Sequence, residues 1–369
     1  MCLFALHHEN GCATMLFKEV MCVDREELLL RRLKGQHLLS PGEEPARDLC
    51  GLQAQFLRNA VHALRIRSGT ANVDDLVKTW TLRGTVHLVP EADLPLYIRH
   101  FGTAEDVCQS GWYQWTAGRG QANPKEREVE LARMTVEAIA QGIDTREELR
   151  AHLRASGMTE AEESRVFSPW GGMIAELANI GVIAFQVKML DQLRPDETKR
   201  YRLLAPFAPM DESAARLELA RRYFTHYGPA TMRDAAYFFH WTQGEVKALL
   251  AQLPVHSAVC EDWTYFWMGE DAVLSDMPEV VLLAGFDPLI LGYRKEDNPF
   301  LPQEHLRGIF NLAGIVNPAI LLRGRVIGKW KEKNGKAEFT AFETLCEADK
   351  RRIEAELERC YPIKKAIWA

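Results

Sequence analysis

The sequence of 369 residues lacks several features that would place it in a specialised class of protein. It has no apolar run of the roughly 18 residues that a membrane-spanning helix needs, and no basic start followed by an apolar stretch, so we expect no secretion signal. Its eight cysteines form no CxxC pair, which argues against a disulfide framework and a zinc ribbon. Neither HExxH nor GxSxG occurs, so metalloprotease and α/β-hydrolase functions have no support. With 47% hydrophobic and 26% charged residues, the chain is predicted to be globular and cytoplasmic.

The N-terminal leader carries four side chains with metal-ligand chemistry, Cys2, His7, His8 and Cys12. The leader has no helical or strand periodicity, and such chain ends usually fray. We therefore predict that residues 1–21 are disordered and hold no metal.

Charge is distributed unevenly over a chain whose net charge is −6. Residues 255–281 contain six acidic and no basic residues, so this stretch accounts for the whole net charge. Residues 323–336 contain a single acidic residue and six basic ones, Arg323, Arg325, Lys329, Lys331, Lys333 and Lys336. These cations, with Trp330 among them, suit a nucleic acid, because they can contact phosphates while the indole stacks on a base. A solvated strand edge protected by lysines explains the pattern equally well.

Periodicity along the chain predicts an α+β protein that is mainly helical. A run of helices followed by a strand, a polar tip and a second strand recurs three times, which is the winged-helix plan. The predicted winged-helix units span 22–120, 121–207 and 208–275, and 276–369 form a C-terminal β-barrel or curled sheet. The alternative is an all-helical domain with a β appendage.

Local signals place individual elements. Helical spacing predicts long helices at 46–67, 125–141, 161–180, 212–227 and 347–360. A continuous strand is predicted over 81–89, and residues 182–187 and 199–204 are predicted to be strands around a polar tip. Asn334–Gly335 is one of the strongest short-range turn signals and predicts a hairpin.

Two glutamines separated by one residue, Gln53 and Gln55, follow Gly51. On a continuous helix they would point roughly 200° apart. Both can face one site only if the helix is broken there or the site wraps around its end. Otherwise one glutamine lies on the surface and the other caps the helix, which composition alone favours.

Residues 79–89 alternate in polarity. As a strand they would place Thr79, Thr81, Arg83, Thr85 and His87 on one face. Such a row suits contacts with phosphates. A solvated strand face is the simpler interpretation of the pattern.

Five segments together resemble one protein family, and they occur in the family's order from about residue 22 onward. They are LCGLQAQ, KTWTLRGTVHLVP, THYGPATMRDAAYF, FDPLILGYR and GIVNPAILLRGRVIGKW. The chain resembles the AlkZ/YcaQ family of winged-helix DNA glycosylases, which have three tandem winged helices and a C-terminal β-barrel. The family's catalytic motif is Gln, an aliphatic residue, then Gln or Asp. Gln53-Ala54-Gln55 resembles the AlkZ branch, whose members unhook DNA crosslinks, so the resemblance implies that Gln53 and Gln55 are catalytic.

The residue types agree with this chemistry independently of the family. A purine alkylated at N7 or N3 carries a positive charge and is already a good leaving group, so no strong general acid is needed, unlike in ordinary glycoside hydrolysis. A glutamine carbonyl can place a water and stabilise an oxocarbenium-like sugar, although it cannot act as a true base at neutral pH.

The prediction is therefore a DNA-repair glycosylase that acts on alkylated or crosslinked purines in double-stranded DNA. We expect a monomer without metal or organic cofactor, cytoplasmic and associated with the nucleoid. Its expected DNA contacts are Arg83, Thr85, His87, Arg323, Arg325, Lys329, Trp330 and Lys331. The alternative is a non-catalytic winged-helix DNA-binding protein or transcriptional regulator, which would usually be a symmetric dimer.

Overall fold

The computed structural model describes residues 21–81, 84–168, 171–269, 276–333, 335–361 and 365–368. The predicted leader therefore lies almost wholly outside the described residues, as do Arg83 and Asn334. The helices of the described part are α1 Arg25–Gly35, α2 Pro45–Asp48, α3 Leu57–Ser68, α4 Leu94–Tyr97, α5 Gly111–Ala117, α6 Lys125–Ala140, α7 Arg146–Ala155, α8 Glu160–Val166, α9 Gly172–Asn179, α10 Glu212–His226, α11 Met232–Phe239, α12 Gln243–Leu250, α13 Pro288–Leu291, α14 Leu306–Ile309 and α15 Glu347–Cys360. Within these ranges no helix is both long and apolar enough to cross a bilayer.

The strands form three sheets. They are β1 Met21–Cys22, β2 Leu52–Gln53, β3 Leu76–Trp80, β4 Val86–Pro90, β5 Ile183–Phe185, β6 Tyr201–Leu203, β7 His256–Cys260, β8 Trp263–Trp267, β9 Val280–Leu282, β10 Ala319–Leu322, β11 Arg325–Lys333, β12 Lys336–Ala341 and β13 Ala366–Trp368. The orders are β2-β4-β3-β5-β6, β1-β7-β8 and β13-β12-β11-β10-β9. The first sheet thus joins strands from two regions of the chain more than 90 residues apart.

The structure corrects three of the predicted elements, one of which, the helix predicted over 161–180, is divided into α8 and α9. The predicted helix over 46–67 is broken into α2, the short strand β2 and α3. The predicted strand over 81–89 is instead the second half of a hairpin, since β3 ends at Trp80 and β4 begins at Val86. The helices predicted at 125–141 and 347–360 are confirmed as α6 and α15.

The C-terminal sheet is open rather than a closed barrel. β9 and β13 are its two edge strands and do not pair with each other in the described part of the chain, so the barrel alternative is wrong. The predicted hairpin is present as β11 and β12, with Lys333 opposite Lys336 at its end. Helix α15 covers the sheet with its buried Ile353 and Leu357.

Helix α3 connects the first sheet with the C-terminal region. Its Arg67 forms a fully buried bidentate ion pair with Asp287, with nitrogen–oxygen distances of 2.6 and 3.1 Å. One turn earlier, the His62 ring nitrogen Nε2 lies 2.6 Å from the carbonyl oxygen of Leu282. Gly285 allows the two segments to approach, because a Cβ there would lie 2.6 Å from the side-chain nitrogen Nδ2 of Asn59 and 3.1 Å from the backbone carbonyl oxygen of Val316. Residues 282–287 therefore lie along α3.

Candidate active site and nucleic-acid interface

The two glutamines lie at the end of β2, on either side of a buried alanine. Gln53 ends β2, and the backbone N–H of Ala54 donates to the carbonyl of Val86, so pairing with β4 continues beyond the strand. Leu52 and Ala54 are fully buried, Gln53 is half-buried and Gln55 is exposed. Gln53 ends the strand and the chain bends at Gln55, so the two glutamines flank the buried Ala54 directly before α3 begins. The helix is therefore broken at the glutamines, which is one of the two arrangements that would allow both of them to face a common site.

A sharp turn produces this break. Cys50 and Gly51 both adopt positive φ, +55° and +91°. A Cβ on Gly51 would lie 2.8 Å from a methyl carbon of Val89, so glycine is needed for the turn to pack against β4. The turn ends α2 and delivers the chain to the edge of the first sheet.

His87 lies opposite the first of the two glutamines, on the neighbouring strand. It is the register partner of Gln53 across the β2–β4 pair. Its Nδ1 lies 2.8 Å from the Thr81 hydroxyl and 3.2 Å from the Thr85 carbonyl oxygen, and the side chain is only 3% exposed. The structure thus corrects the prediction that His87 contacts DNA, because a ring buried at this depth cannot reach a phosphate. Thr81, Thr85 and His87 are brought together by the connection between β3 and β4 and not by a common strand face, and Thr85 is half-buried.

A carboxylate that sequence reasoning missed lies at the start of α3. The Glu197 oxygens accept the backbone N–H groups of Leu57 and Arg58 at 3.2 and 2.9 Å. Glu197 belongs to the loop between β5 and β6, which the sequence marks only as a polar tip. A negative charge is favourable at this position, because the first N–H groups of a helix have no partner within the helix. The loop therefore caps the helix that begins two residues after Gln55.

A groove of about 1040 Å³ opens beside the glutamine segment. Its walls come from the start of α3, the β5–β6 loop and the basic hairpin, and Phe56, the residue after Gln55, lines it with 37% exposure. Its charged lining residues are three cations and three carboxylates, Arg58, Arg194, Lys331, Asp191, Glu197 and Glu332. The groove thus has apolar and aromatic walls and a balanced charge.

Trp330 is an anchor of the hairpin rather than a surface ring. It is 5% exposed, its indole N–H donates to the carbonyl of Leu283 at 3.0 Å, and its ring lies 5.3 Å from that of His62. This corrects the prediction that Trp330 binds DNA by stacking, although its edge reaches the groove wall. Burial lowers the pKa of His62 to about 4, so the neighbouring imidazole is neutral at neutral pH.

The cations of the basic hairpin fall into two groups. Arg323 pairs with Glu279 and Asp349 at 3.0 Å, Arg325 with Glu304 and Glu343, and Lys331 with Glu338 at 2.8 Å. Lys333 and Lys336 are exposed and directly opposite each other, which is unfavourable for like charges unless an anion neutralises them. Lys329 is half-buried further along β11. The tip of the hairpin therefore presents the cations best placed to meet a polyanion.

Lys78 is a second residue that sequence reasoning missed. It lies on β3, with its ammonium 5.3 Å from the centre of the Phe185 ring. Burial lowers the pKa of Lys78 to about 8, and the negative charge of Glu197 opposes this shift. Its signal in the sequence is a single lysine within an otherwise uncharged strand.

One cluster among the described residues has the donors for a metal ion, namely His37, Asp48 and His226. It involves neither glutamine and no residue that lines the groove.

Comparison with known proteins identifies the class of the molecule. A family model described as "DNA glycosylase AlkZ-like" matches residues 46–363, a range that contains the glutamine segment, the groove and the hairpin. The class is that of a DNA glycosylase. The chain belongs to the AlkZ-like DNA glycosylase family, which confirms the resemblance found in its motifs.

Two matches extend over nearly the whole chain. The chain is 24% identical over 359 residues to the "Interstrand DNA cross-link repair glycosylase" of Streptomyces sahachiroi, covering 87% of this chain and 91% of that protein. The structure is similar to that of the Streptomyces sahachiroi DNA glycosylase AlkZ, with a TM-score of 0.70 and 21% identity over 95% of this chain and 100% of that one. The fold is therefore shared, while the role of each residue follows from its own contacts.

Proposed function

We propose that this glycosylase hydrolyses the N-glycosidic bond of purines that carry a cationic alkyl adduct at N7 or N3, including purines tied to the opposite strand by an interstrand crosslink. The observation that carries the proposal is the pair of glutamines at the end of β2, directly before the residues that line an open groove. The relative named as a crosslink-repair glycosylase supports the crosslinked substrate.

The proposed chemistry needs no group that titrates near neutral pH. The positive charge of the alkylated base draws the bonding electrons, and the Gln53 and Gln55 carbonyl dipoles stabilise the developing oxocarbenium ion. An amide oxygen also accepts a hydrogen bond from the attacking water and orients it toward the sugar carbon. Water adds to that carbon, its proton passes to solvent, and the neutral base leaves. An uncharged site of this kind restricts the enzyme to bases that already carry a positive charge and leave easily.

An open groove suits a crosslinked base, which cannot be extruded fully from the duplex because it is tied to the other strand. We propose that the exposed Phe56 faces the lesion and that Thr85 and Arg83 lie along the nearby backbone. Lys329, Lys333 and Lys336 are the proposed phosphate contacts of the hairpin. Arg323, Arg325 and Lys331 contribute less, because carboxylates already neutralise them.

The architecture behind this interface is proposed to be three winged-helix units, at 22–120, 121–207 and 208–275, followed by the C-terminal sheet region. Each unit contains helices and a strand pair, which is β3–β4, β5–β6 and β7–β8 in turn. Three non-identical units in one chain can follow a duplex without the two-fold symmetry of a dimer. We propose that the enzyme acts as a monomer on nucleoid DNA.

The test is base release from a duplex with a single N7-methylguanine, detected by alkaline cleavage of the abasic product. Gln53→Ala and Gln55→Ala should each lower the single-turnover rate by about 100-fold or more, as for removal of a group that stabilises transition-state charge. Duplex affinity should stay nearly unchanged, because neither glutamine is proposed to bind phosphate. Gln192→Ala removes a groove glutamine outside the motif and is the matched control. Wild-type rates for both motif variants would refute the proposal.

A further inference from the structure

Three histidine and aspartate side chains from distant parts of the chain meet on the side of α2 that leads into the glutamine turn. His37 follows the end of α1, Asp48 is the last residue of α2 and His226 is the last residue of α10. One ligand atom from each lies within 4.8 Å of the other two. The side chains are between 18% and 24% exposed, so the cluster is sheltered but open to water.

The distances within the cluster match those between ligands of a small cation. His37 Nε2 lies 2.8 Å from one Asp48 oxygen and His226 Nε2 lies 3.5 Å from the other. Neighbouring ligands of a tetrahedral zinc ion stand roughly 3.3 Å apart, given bond lengths of about 2.0–2.1 Å. The two observed separations bracket this value.

A hydrogen bond holds the imidazole of His226 in the tautomer that a metal ligand requires. Its Nδ1 lies 3.0 Å from the carbonyl oxygen of Gly35, which can only accept, so Nδ1 carries the proton. In the neutral ring, Nε2 then presents its lone pair toward a carboxylate oxygen of Asp48. Two acceptors that face each other need a shared proton or a cation between them. Metal-bound histidines characteristically hold their second nitrogen in this way, on a carbonyl or carboxylate.

The end of α1 places His37 beside the other two side chains. Its φ of +59° is the left-handed conformation that commonly ends a helix, and the next N–H, of Leu38, donates to the carbonyl of Leu33 at 2.9 Å. The His37 ring centre lies 5.4 Å from that of His226, and the two rings face the same carboxylate. Three segments are thereby held at one point.

We propose that His37, Asp48 and His226 form a binding site for a divalent transition-metal ion of the zinc class. Imidazole and carboxylate donors suit such ions, and three protein ligands leave a coordination position for water. Binding at His37 Nε2 releases the proton that this nitrogen shares with Asp48. The ion would tie α1 and α10 to the turn before Gln53, so it stabilises the fold and takes no part in the reaction. The inference holds whether or not the proposed substrate is right.

The experiment is a calorimetric titration of the full-length, EDTA-treated protein with zinc chloride. One ion should bind per chain, and zinc at about 100 times its dissociation constant should raise the melting temperature by roughly 3–4 °C. His37→Gln, Asp48→Asn and His226→Gln should each weaken binding by at least about 10-fold and remove most of the thermal shift. The control removes the leader's donor set through Cys2→Ser, His7→Gln, His8→Gln and Cys12→Ser, and it should bind zinc like the wild type.

A measurement on the unaltered protein covers the case in which a variant fails to fold. Zinc should protect His37 and His226 from diethyl pyrocarbonate, as read by mass spectrometry. Equal modification with and without zinc would overturn the proposal and assign the cluster to an imidazolium–carboxylate pair. Absence of stoichiometric binding, or binding lost only in the leader variant, would overturn it as well.

Discussion

Glu197 determines how firmly the glutamine segment is held, because its carboxylate caps the helix that starts directly after Phe56. Glu197→Ala removes the acceptor for the N–H groups of Leu57 and Arg58. Glu197→Gln keeps an amide oxygen that can accept one of them but removes the charge. Comparing the two variants therefore separates the contribution of the hydrogen bonds to stability from that of the negative charge.

The size of the effect follows from the geometry. Loss of a helix cap costs about 0.5–2 kcal/mol, and a carboxylate at a helix N-terminus contributes about 0.3–1 kcal/mol through the dipole. The pair with Arg58 adds little, because both side chains are well exposed. Glu197→Ala should therefore lower the free energy of unfolding by about 1–2 kcal/mol, and Glu197→Gln by about half as much.

Catalysis should fall by more than this loss of stability explains. Fraying of the first turn of α3 displaces Phe56 and Gln55, and a misplacement of about 1 Å can cost up to about 100-fold in rate. We expect Glu197→Ala to excise N7-methylguanine about 10-fold more slowly in single turnovers, with Glu197→Gln between it and the wild type.

The assay combines urea unfolding with single-turnover excision at saturating enzyme. Glu43→Ala, a change at an exposed glutamate outside the groove, is the matched control and should behave like the wild type. Unchanged stability and rate in Glu197→Ala would show that the β5–β6 loop does not hold the glutamine segment.

Three further predictions concern the hairpin and the first sheet. Replacing Lys333 and Lys336 with alanine should weaken binding to all duplex sequences. It should also flatten the plot of log affinity against log salt by about 1.8 units, since each phosphate contact contributes about 0.9 to the slope. Arg325→Ala, which removes an ion-paired cation, is the control, and an equal change in slope there would contradict the assignment. Trp330→Ala should lower the free energy of unfolding by about 3–5 kcal/mol, as measured in urea, because it removes a buried ring and its hydrogen bond to Leu283; a loss of affinity with unchanged stability would restore a stacking role. Lys78→Met should have a higher free energy of unfolding than the wild type in urea at pH 7, and this difference should shrink between pH 8 and about 10. The pKa of Lys78 is lowered to about 8 in the folded protein, so in that interval the unfolded chain binds a proton that the folded protein has lost. A difference that does not vary with pH would rule out a buried ammonium.

Sequence reasoning succeeded where the signal is local. The helix from Glu347 to Cys360 has an apolar stripe at helical spacing, and its predicted bounds agree with the structure. The Asn334–Gly335 turn correctly predicted the hairpin of β11 and β12, because the two strands need only the turn and their own alternation to find their register. The glutamine pair was identifiable because its spacing conflicts with a continuous helix.

The same reasoning failed where distant residues decide the outcome. Residues 46–67 have helical spacing throughout, yet the chain leaves the helix at Cys50 because Gly51 packs against Val89 and β2 pairs with β4. Trp330 stands among cations in the sequence, and only the distant Leu283 carbonyl and His62 ring draw it inward. Glu197 lies 140 residues from the N–H group of Leu57 that it accepts, and no spacing rule connects them.

The ion pair between Arg67 and Asp287 determines which parts of this enzyme can be separated. Helix α3 begins at the glutamine segment and ends at a guanidinium whose only ionic partner among the described residues belongs to the last third of the chain. A protein truncated after residue 275 would lose this buried ion pair and would expose to water the side of α3 that residues 282–287 cover. The last third is thus a structural part of the catalytic unit and not an exchangeable DNA-binding attachment, so a minimal glycosylase engineered from this chain has to retain it.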